Sequence, residues 1–375
     1  MNSNYRNQLS LLADSDDSQI QNLYAGYTLH QIGPYIGKLR PSLARYLIKQ
    51  YTKESDWIWD PFCGSGTIPL ESSFLRRNVI ASDINPYACI LTKAKLHAPE
   101  SKDTCLLQLT DASKDLNALS KKISDDIPQW VKKFFHPRTL NEVIALMGEF
   151  NREKQYFHMA CLLSILHHQR PGFLSYPACN LVPYLRDKLF PRHKYPELYK
   201  YRDPLPRLAE KIERIYKSPP PPATIKFEVL QESVLNKYLP DESINAVITS
   251  PPYMDALDYA RDNRLRLWFL GIDDYSLIKK SEIRKISTFK TEMLQSLTIM
   301  SQVIKPGGVC IFILGDVKSS SLKYNLPKII TEIIEENILI LHIEDKWQEE
   351  IPDKRRSRRR GRATNNETVL VFRRQ

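Results

Sequence analysis

The chain has 375 residues, 42% hydrophobic and 26% charged, enough apolar material for one large domain or a domain carrying a sizeable insertion. Its formal net charge of +11 points to a polyanionic partner, nucleic acid before an anionic membrane. Six cysteines, at 63, 89, 105, 161, 179 and 310, form no C-x-x-C pair and lie near no histidine at zinc-ligand spacing, which argues for a reducing compartment and against a structural metal.

Residues 1–27 are polar and acidic and are expected to be a flexible N-terminus without a signal peptide. No apolar run approaches membrane-spanning length, so no membrane partner is expected, and the expected location is the cytoplasm, in association with the nucleoid. From 28 to 98 the chain reads as the first part of an α/β core. Leu43, Tyr46, Leu47 and Tyr51 recur at helical spacing behind Pro41, which suits a first turn. Asp56 to Trp59 reads as a strand running into Asp60-Pro61-Phe62-Cys63-Gly64-Ser65-Gly66-Thr67, and a helix follows from Ile68 to about Arg76.

Strand, glycine turn and helix together open a nucleotide-binding βαβ unit. The glycines let the backbone approach a ligand and leave helix N-terminal amides facing it. Pro69 stands where a dinucleotide fingerprint wants its third glycine, and no lysine completes a P-loop. A second strand, Asn78 to Ser82, ends in Asp83 about 20 residues on, where a carboxylate would take ribose hydroxyls.

Residues 99–223 do not alternate strand and helix. Leu140 to Phe150 and Tyr156 to His168 read as helices, the first with Val143, Ile144, Met147 and Phe150 on one face. Further on, Arg170, Tyr176, Tyr184, Arg186, Lys188, Arg192, Lys194, Tyr195, Tyr199, Lys200, Tyr201 and Arg202 interleave cations with rings. Such a stretch suits phosphates and bases, and it equally suits a helical subdomain that packs its tyrosines inward. His167 and His168 read as core or surface histidines, since neighbours on a helix point apart and no carboxylate or cysteine partner is evident. The extended Ser218 to Pro222 run marks a boundary.

Residues 224–375 resume the core, with strands at Ile225 to Leu230, Ile244 to Ile248 and Val309 to Leu314, and a closing pair at Ile338 to Ile343 and Thr368 to Phe372. The run Ile244 to Ile248 leads into Thr249-Ser250-Pro251-Pro252-Tyr253. Two prolines fix φ and remove two donors, leaving carbonyls in set directions at a strand end. A serine hydroxyl, a proline carbonyl and a tyrosine face are what an exocyclic amino group on a planar base needs. Lys354 to Arg362 carries seven basic residues among nine.

Asp60-Pro61-Phe62-Cys63-Gly64-Ser65-Gly66-Thr67 together with Thr249-Ser250-Pro251-Pro252-Tyr253 resembles the DNA amino-methyltransferases that use S-adenosylmethionine (SAM), specifically the N4-cytosine branch of the N4/N6 family. His30 to Pro41, with Tyr35, resembles that family's N-terminal cofactor motif. The resemblance covers roughly 28–98 and 224–375. It implies a Rossmann-like SAM methyltransferase fold with a mixed seven-stranded sheet, here with a helical insertion placed before the third strand. It implies a cofactor site of Tyr35, Asp60, Phe62, Cys63, Gly64, Ser65, Gly66, Thr67, Asp83 and Ile84, with Glu232 and Ser233 where the family usually has Gly-Asp-Ser. Ser250, Pro251, Pro252 and Tyr253 would be the catalytic loop. The insertion would be the candidate target-recognition region.

The implied reaction is direct methyl transfer to N4 of cytosine in duplex DNA, with Tyr253 stacked on a flipped-out base. Hydrogen bonds from the amine to Ser250 and Pro251 would free a lone pair that is otherwise delocalised into the ring. Methylation at C5 would need a cysteine after proline, and the chain has no Pro-Cys dipeptide. Arg261 and Arg264, with Arg355, Arg356, Arg358, Arg359 and Arg360, are candidate phosphate contacts. N6-adenine specificity, an RNA substrate and a catalytically inert nucleic-acid binder are the other readings. A cognate restriction endonuclease would be a partner in a restriction-modification pair; the oligomeric state is not indicated.

Overall fold

The computed structural model describes residues 27–121, 126–168, 171–177, 188–223, 225–252, 259–276, 278, 286–315, 317–319, 322–350 and 366–375. In chain order the strands are β1 (Trp57–Asp60), β2 (Asn78–Ser82), β3 (Phe227–Leu230), β4 (Ile244–Thr249), β5 (Ile304–Gly315), a small β6 (Val317–Ser319) and β7 (Leu322–Tyr324) ladder, β8 (Leu341–Glu350) and β9 (Asn366–Arg374). Seven of them form one sheet of order β3-β2-β1-β4-β5-β9-β8. The first five are parallel, and β9 is antiparallel to both β5 and β8. This is a mixed seven-stranded α/β sheet, as the resemblance implied. Chain order reverses direction at β1, so the carboxyl ends of β1 and β4 flank the crevice where such sheets bind ligands.

The central strands β1 and β4 and the second half of β5 are largely buried, so their residues there are mostly apolar. Along β5 alternate residues separate cleanly. Cys310, Phe312 and Leu314 join Phe289, Met293, Leu297 and Met300 of helix α8 (Ile286–Val303), while Val309, Ile311 and Ile313 join Leu43, Leu47 and Ile48 of helix α1 (Pro41–Tyr51). Each such aliphatic side chain contributes about 1.5–3 kcal/mol by leaving water.

Helices α2 (Thr67–Phe74) and α3 (Pro86–Leu96) follow β1 and β2. The start of α3 is set by Pro86 in its first turn and by Asn85, whose side chain accepts the Tyr87 N–H at 3.0 Å. The insertion supplies α4 (Lys102–Ser113), α5 (Pro137–Arg152), α6 (Tyr156–Leu166) and α7 (Pro204–Ile215). Leu91 and Ala94 of α3 lie in the same apolar cluster as Leu146, Leu162, Leu163 and Leu208, so these helices pack onto the core rather than standing apart from it. All four lie between β2 and β3 in chain order.

Three expectations are corrected. β3 begins at Phe227 rather than Ile225, and β5 at Ile304 rather than Val309. β8 starts at Leu341 and extends to Glu350, well beyond Ile343. The segment 344–350 is polar, yet Trp347 packs edge-on against Tyr46 and Glu349 pairs with Arg40 at 2.7 Å, so a charged edge strand is held by side chains on one face.

Within the insertion the inward-packing reading holds for several residues. Tyr176 and Tyr199 are buried, and Arg202 donates to the carbonyls of Phe173, Ser175 and Leu198. Lys188, Arg192, Lys194 and Lys200 are exposed, while Arg170, Tyr184 and Arg186 lie outside the described residues. His167 is buried with Nδ1 2.7 Å from Ser175 Oγ, and His168 stacks on Phe173. No helix among the described residues is long and apolar enough to cross a membrane.

Candidate functional site

The glycine turn needs its glycines for two separate reasons. Gly66 has φ +71°, and a Cβ there would lie 2.6 Å from Thr92 Oγ1 and 3.0 Å from Thr92 Cα, so only glycine lets α3 close against the turn. Gly64 has φ +48°, and its Cβ would meet the Tyr35 ring at 3.3 Å. Tyr35 thus roofs the turn and stacks on Tyr259, ring centroids 5.6 Å apart. Three bonds close the loop: the Gly66 N–H donates to Cys63 O at 2.7 Å, the Cys63 N–H to Ser82 O at 3.0 Å, and the buried Lys95 Nζ to Ser65 O.

The Tyr35 segment is fastened to α2 by a buried polar triad. Glu71 accepts from His30 Nε2 at 2.7 Å and from Arg45 Nε at 2.6 Å. Burial drops His30 to about 4, so it is neutral and serves as a brace rather than a proton carrier.

Asp83, one residue past β2, accepts the Gly64 N–H at 2.9 Å on Oδ2 and the Asn85 N–H at 2.8 Å on Oδ1. Burial raises it to about 6, and the two amides pull the other way. Asn85 is buried, and its Nδ2 is a donor without a hydrogen-bond partner beside that carboxylate. A group rich in acceptors such as a ribose and its base would satisfy it. Ile84 next to it is exposed.

Asp60 ends β1 and is buried, with Oδ1 accepting the Thr249 hydroxyl at 2.7 Å and the Phe62 N–H at 3.4 Å. Burial lifts it to about 7, partly countered by those two donors. Cys63, Ser65 and Thr67 are buried and Phe62 packs on the sheet-side cluster, so the turn offers backbone more than side chains. Glu232 and Ser233 lie just past β3, whose Leu230 pairs with Ser82. Glu232 is exposed and accepts from Asn236 Nδ2 at 2.9 Å, while Ser233 Oγ accepts the Leu235 N–H at 3.2 Å.

On the acceptor side, Thr249 closes β4 and Ser250-Pro251-Pro252 follows, with Pro251 buried and Ser250 and Pro252 half-buried. Tyr253 lies outside the described residues, as do Arg355, Arg356, Arg358, Arg359 and Arg360. Arg261 is exposed on a short helix, Tyr259–Asp262. Arg264 sits 4.0 Å over the Trp130 ring and 5.3 Å over Tyr275, so the structure places its guanidinium on aromatic faces, one of them from the insertion. Its neighbour Arg266 is buried and donates to Leu163 O at 3.1 Å and His167 O at 3.2 Å. The segment after the Ser-Pro-Pro loop is therefore bolted to α6.

Sequence reading missed Thr249 as a partner of Asp60, and also missed Asn85, Lys95 and Arg266. Asn85-Pro86 carried a readable cap signal, whereas the others depend on which strands and helices become neighbours. Among the described residues no group of three or more His, Cys, Asp or Glu is placed to hold a metal ion.

Residues 15–94 match the family model described as DNA methylase, N6_N4_Mtase. The type II methyltransferase M.MjaII of Methanocaldococcus jannaschii is 32% identical over 131 residues, which cover 34% of this chain and 22% of that protein. The type II methyltransferase M.BsoBI of Geobacillus stearothermophilus is 26% identical over 263 residues, 62% of this chain and 50% of that protein. The chain spans half or less of the length of these curated relatives. Among solved structures, the rRNA methyltransferase aviRa of Streptomyces viridochromogenes overlaps 96% of this chain and 93% of its own at 13% identity, with a TM-score of 0.36, too loose a likeness to bear on substrate.

Proposed function

We propose that this chain is a member of the N4/N6 DNA methylase family and transfers a methyl group from S-adenosylmethionine to the N4 amino nitrogen of cytosine in DNA. The observation that carries this reading is the meeting of two strand ends. The turn after β1 and the Ser250-Pro251-Pro252 segment after β4 leave the sheet side by side, joined by the Asp60–Thr249 hydrogen bond.

Asp83 has acceptor capacity left for ribose hydroxyls, and the orphan Asn85 Nδ2 has donor capacity for the same ligand. Glu232, beyond β3, is within the same row of strand ends and would accept from an adenine amine. The Tyr35 face and the turn amides enclose the remaining side. When bound, S-adenosylmethionine supplies a methyl group on a sulfonium, already electrophilic.

The chain's own task is to make the acceptor nucleophilic. The Ser250 hydroxyl and the Pro251 carbonyl accept hydrogen bonds from the cytosine amine, favouring a tetrahedral nitrogen whose lone pair is aimed at the donor side. Tyr253 would stack on the extruded base, and the net charge of +11 would hold the phosphates. The serine in place of an acidic first residue favours cytosine over adenine. The type II relatives favour DNA over RNA, with the insertion choosing the target sequence and a restriction endonuclease as cognate partner.

Nucleoside mass spectrometry of plasmid DNA and total RNA, after incubation with the protein and labelled S-adenosylmethionine, tests the reading. N4-methylcytosine in DNA is the expected product. N6-methyladenine would overturn the base assignment, label only in RNA would overturn the substrate, and no label in either would leave a nucleic-acid binder.

A further inference from the structure

Thr249 and Asp60 close the carboxyl ends of β4 and β1 against each other. The strands are parallel neighbours in a short register, Ile58 opposite Ala246 and Trp59 opposite Val247. Past that point the backbone ladder ends, and a side-chain bond takes over. The Thr249 hydroxyl donates to Asp60 Oδ1 at 2.7 Å across 189 residues of sequence. Both residues are almost fully enclosed, Thr249 at 0% and Asp60 at 2% exposure.

The same carboxylate oxygen accepts the Phe62 N–H at 3.4 Å. One atom therefore holds the start of the glycine turn and the last residue before Ser250. Beyond Ser250 the backbone offers no substitute, because Pro251 and Pro252 have no N–H to donate. Nor is Thr249 merely satisfying its hydroxyl locally, as a helical threonine does on its own preceding carbonyl; it reaches into the other half of the core.

We propose that Asp60 and Thr249 are positioning residues that fix the Ser250–Pro252 segment relative to the glycine turn, with neither side chain touching cofactor or base. The inference rests on the methyl-transfer reading above. It moves Asp60 from the cofactor-binding residues implied by family resemblance to the frame that aligns donor and acceptor. The chemical need is plain. An in-line attack on a methyl group tolerates little error in distance, and a displacement of about 1 Å can cost on the order of 100-fold in rate. The two halves of the core are separated by the whole insertion, so this alignment has to be made by a tertiary contact.

Two variants of the full chain test it. Thr249→Val keeps the branched shape and removes the donor; Thr249→Ser keeps the donor. Single-turnover methyl transfer, S-adenosylmethionine Kd by calorimetry and the urea midpoint are measured for both. The expected result is a rate lowered about 10- to 100-fold in Thr249→Val, with Kd within about twofold of the unmodified protein and most of the rate recovered in Thr249→Ser. An undiminished rate in Thr249→Val overturns the inference. So does a Kd weakened in step with the rate, which would place the pair in the cofactor pocket. Equal losses in both variants, with equally lowered midpoints, would reduce the pair to packing and overturn it as well. Unmodified protein that methylates neither DNA nor RNA overturns the functional reading, and this inference falls with it; an active parent confines any failure to the inference.

Discussion

Asp83 Oδ2 accepts the Gly64 N–H at 2.9 Å, so the carboxylate that follows β2 is latched onto the turn that follows β1. Removing it frees the turn and, on the proposed reading, also deletes an acceptor for the ribose. Asp83→Ala is expected to weaken S-adenosylmethionine binding at least about tenfold, a difference of about 1.4 kcal/mol in binding free energy. Calorimetric titration decides it, and an unchanged Kd would place the nucleoside elsewhere.

Two buried carboxylates also give the protein a pH signature. Asp60 stands at about 7 and Asp83 at about 6, both raised from 3.8 by burial. Between about pH 4 and pH 7 the folded protein therefore holds more protons than the unfolded chain, and these groups make stability fall as pH rises through that window. Asn at position 60 keeps an acceptor for Thr249 and cannot ionise. Asp60→Asn should thus gain in Tm relative to the parent between about pH 5 and about pH 8, and a pH-independent difference in Tm would contradict the raised value.

The turn itself should not tolerate a side chain. Gly66→Ala would force a left-handed residue and place a Cβ 2.6 Å from Thr92 Oγ1 and 3.0 Å from Thr92 Cα. The backbone strain alone costs about 1–3 kcal/mol. Urea unfolding should register a loss of that size or more, with cofactor binding abolished. A variant with parental stability would mean that α3 can retreat.

Arg266 ties the segment behind the Ser-Pro-Pro loop to α6 through Leu163 O and His167 O, while its guanidinium lies 5.5 Å from the Tyr87 ring. Arg266→Met would keep most of the volume and strand two buried carbonyls. A loss of about 2–4 kcal/mol in stability is expected, since each buried group left unpaired costs about 1–3 kcal/mol. Hydrogen exchange should quicken in α6 and in residues 264–269 together. Faster exchange in only one of them would show that they are not coupled.

Catalysis and nucleic-acid binding should separate by mutation. Ser250→Ala is expected to lower methyl transfer about 100-fold or more with S-adenosylmethionine affinity retained, and Tyr253→Ala to be more severe. Normal turnover in both would remove the loop from the chemistry. Replacing Arg355, Arg356, Arg358, Arg359 and Arg360 by glutamine should flatten the salt dependence of DNA binding by about one unit of slope for each phosphate no longer neutralised. An unchanged slope would make that run a solvated loop.

Much of this protein is legible in its sequence. Pro41 and Pro86 announce helix starts, the Gly64–Gly66 turn between a strand and a helix announces a ligand-facing backbone, and Ser250-Pro251-Pro252 announces fixed acceptors at a strand end. These are local signals, carried by φ restrictions and side-chain periods that act within a few residues. The polar half of β8 is not legible, because its inward residues are Trp347 and Glu349, and the partners that justify them, Tyr46 and Arg40, lie some 300 residues away in sequence.

Local chemistry thus determined which residues could hold a nucleotide and which could accept from an amino group. Tertiary structure alone decided that the two sets stand together. β1 and β4 become neighbours by sheet order, which no side-chain pattern within either strand encodes, and only then can the Thr249 hydroxyl find Asp60. The same holds for Arg266, whose role as a bolt depends on α6 and the residue after it presenting two carbonyls where a long cation can reach them.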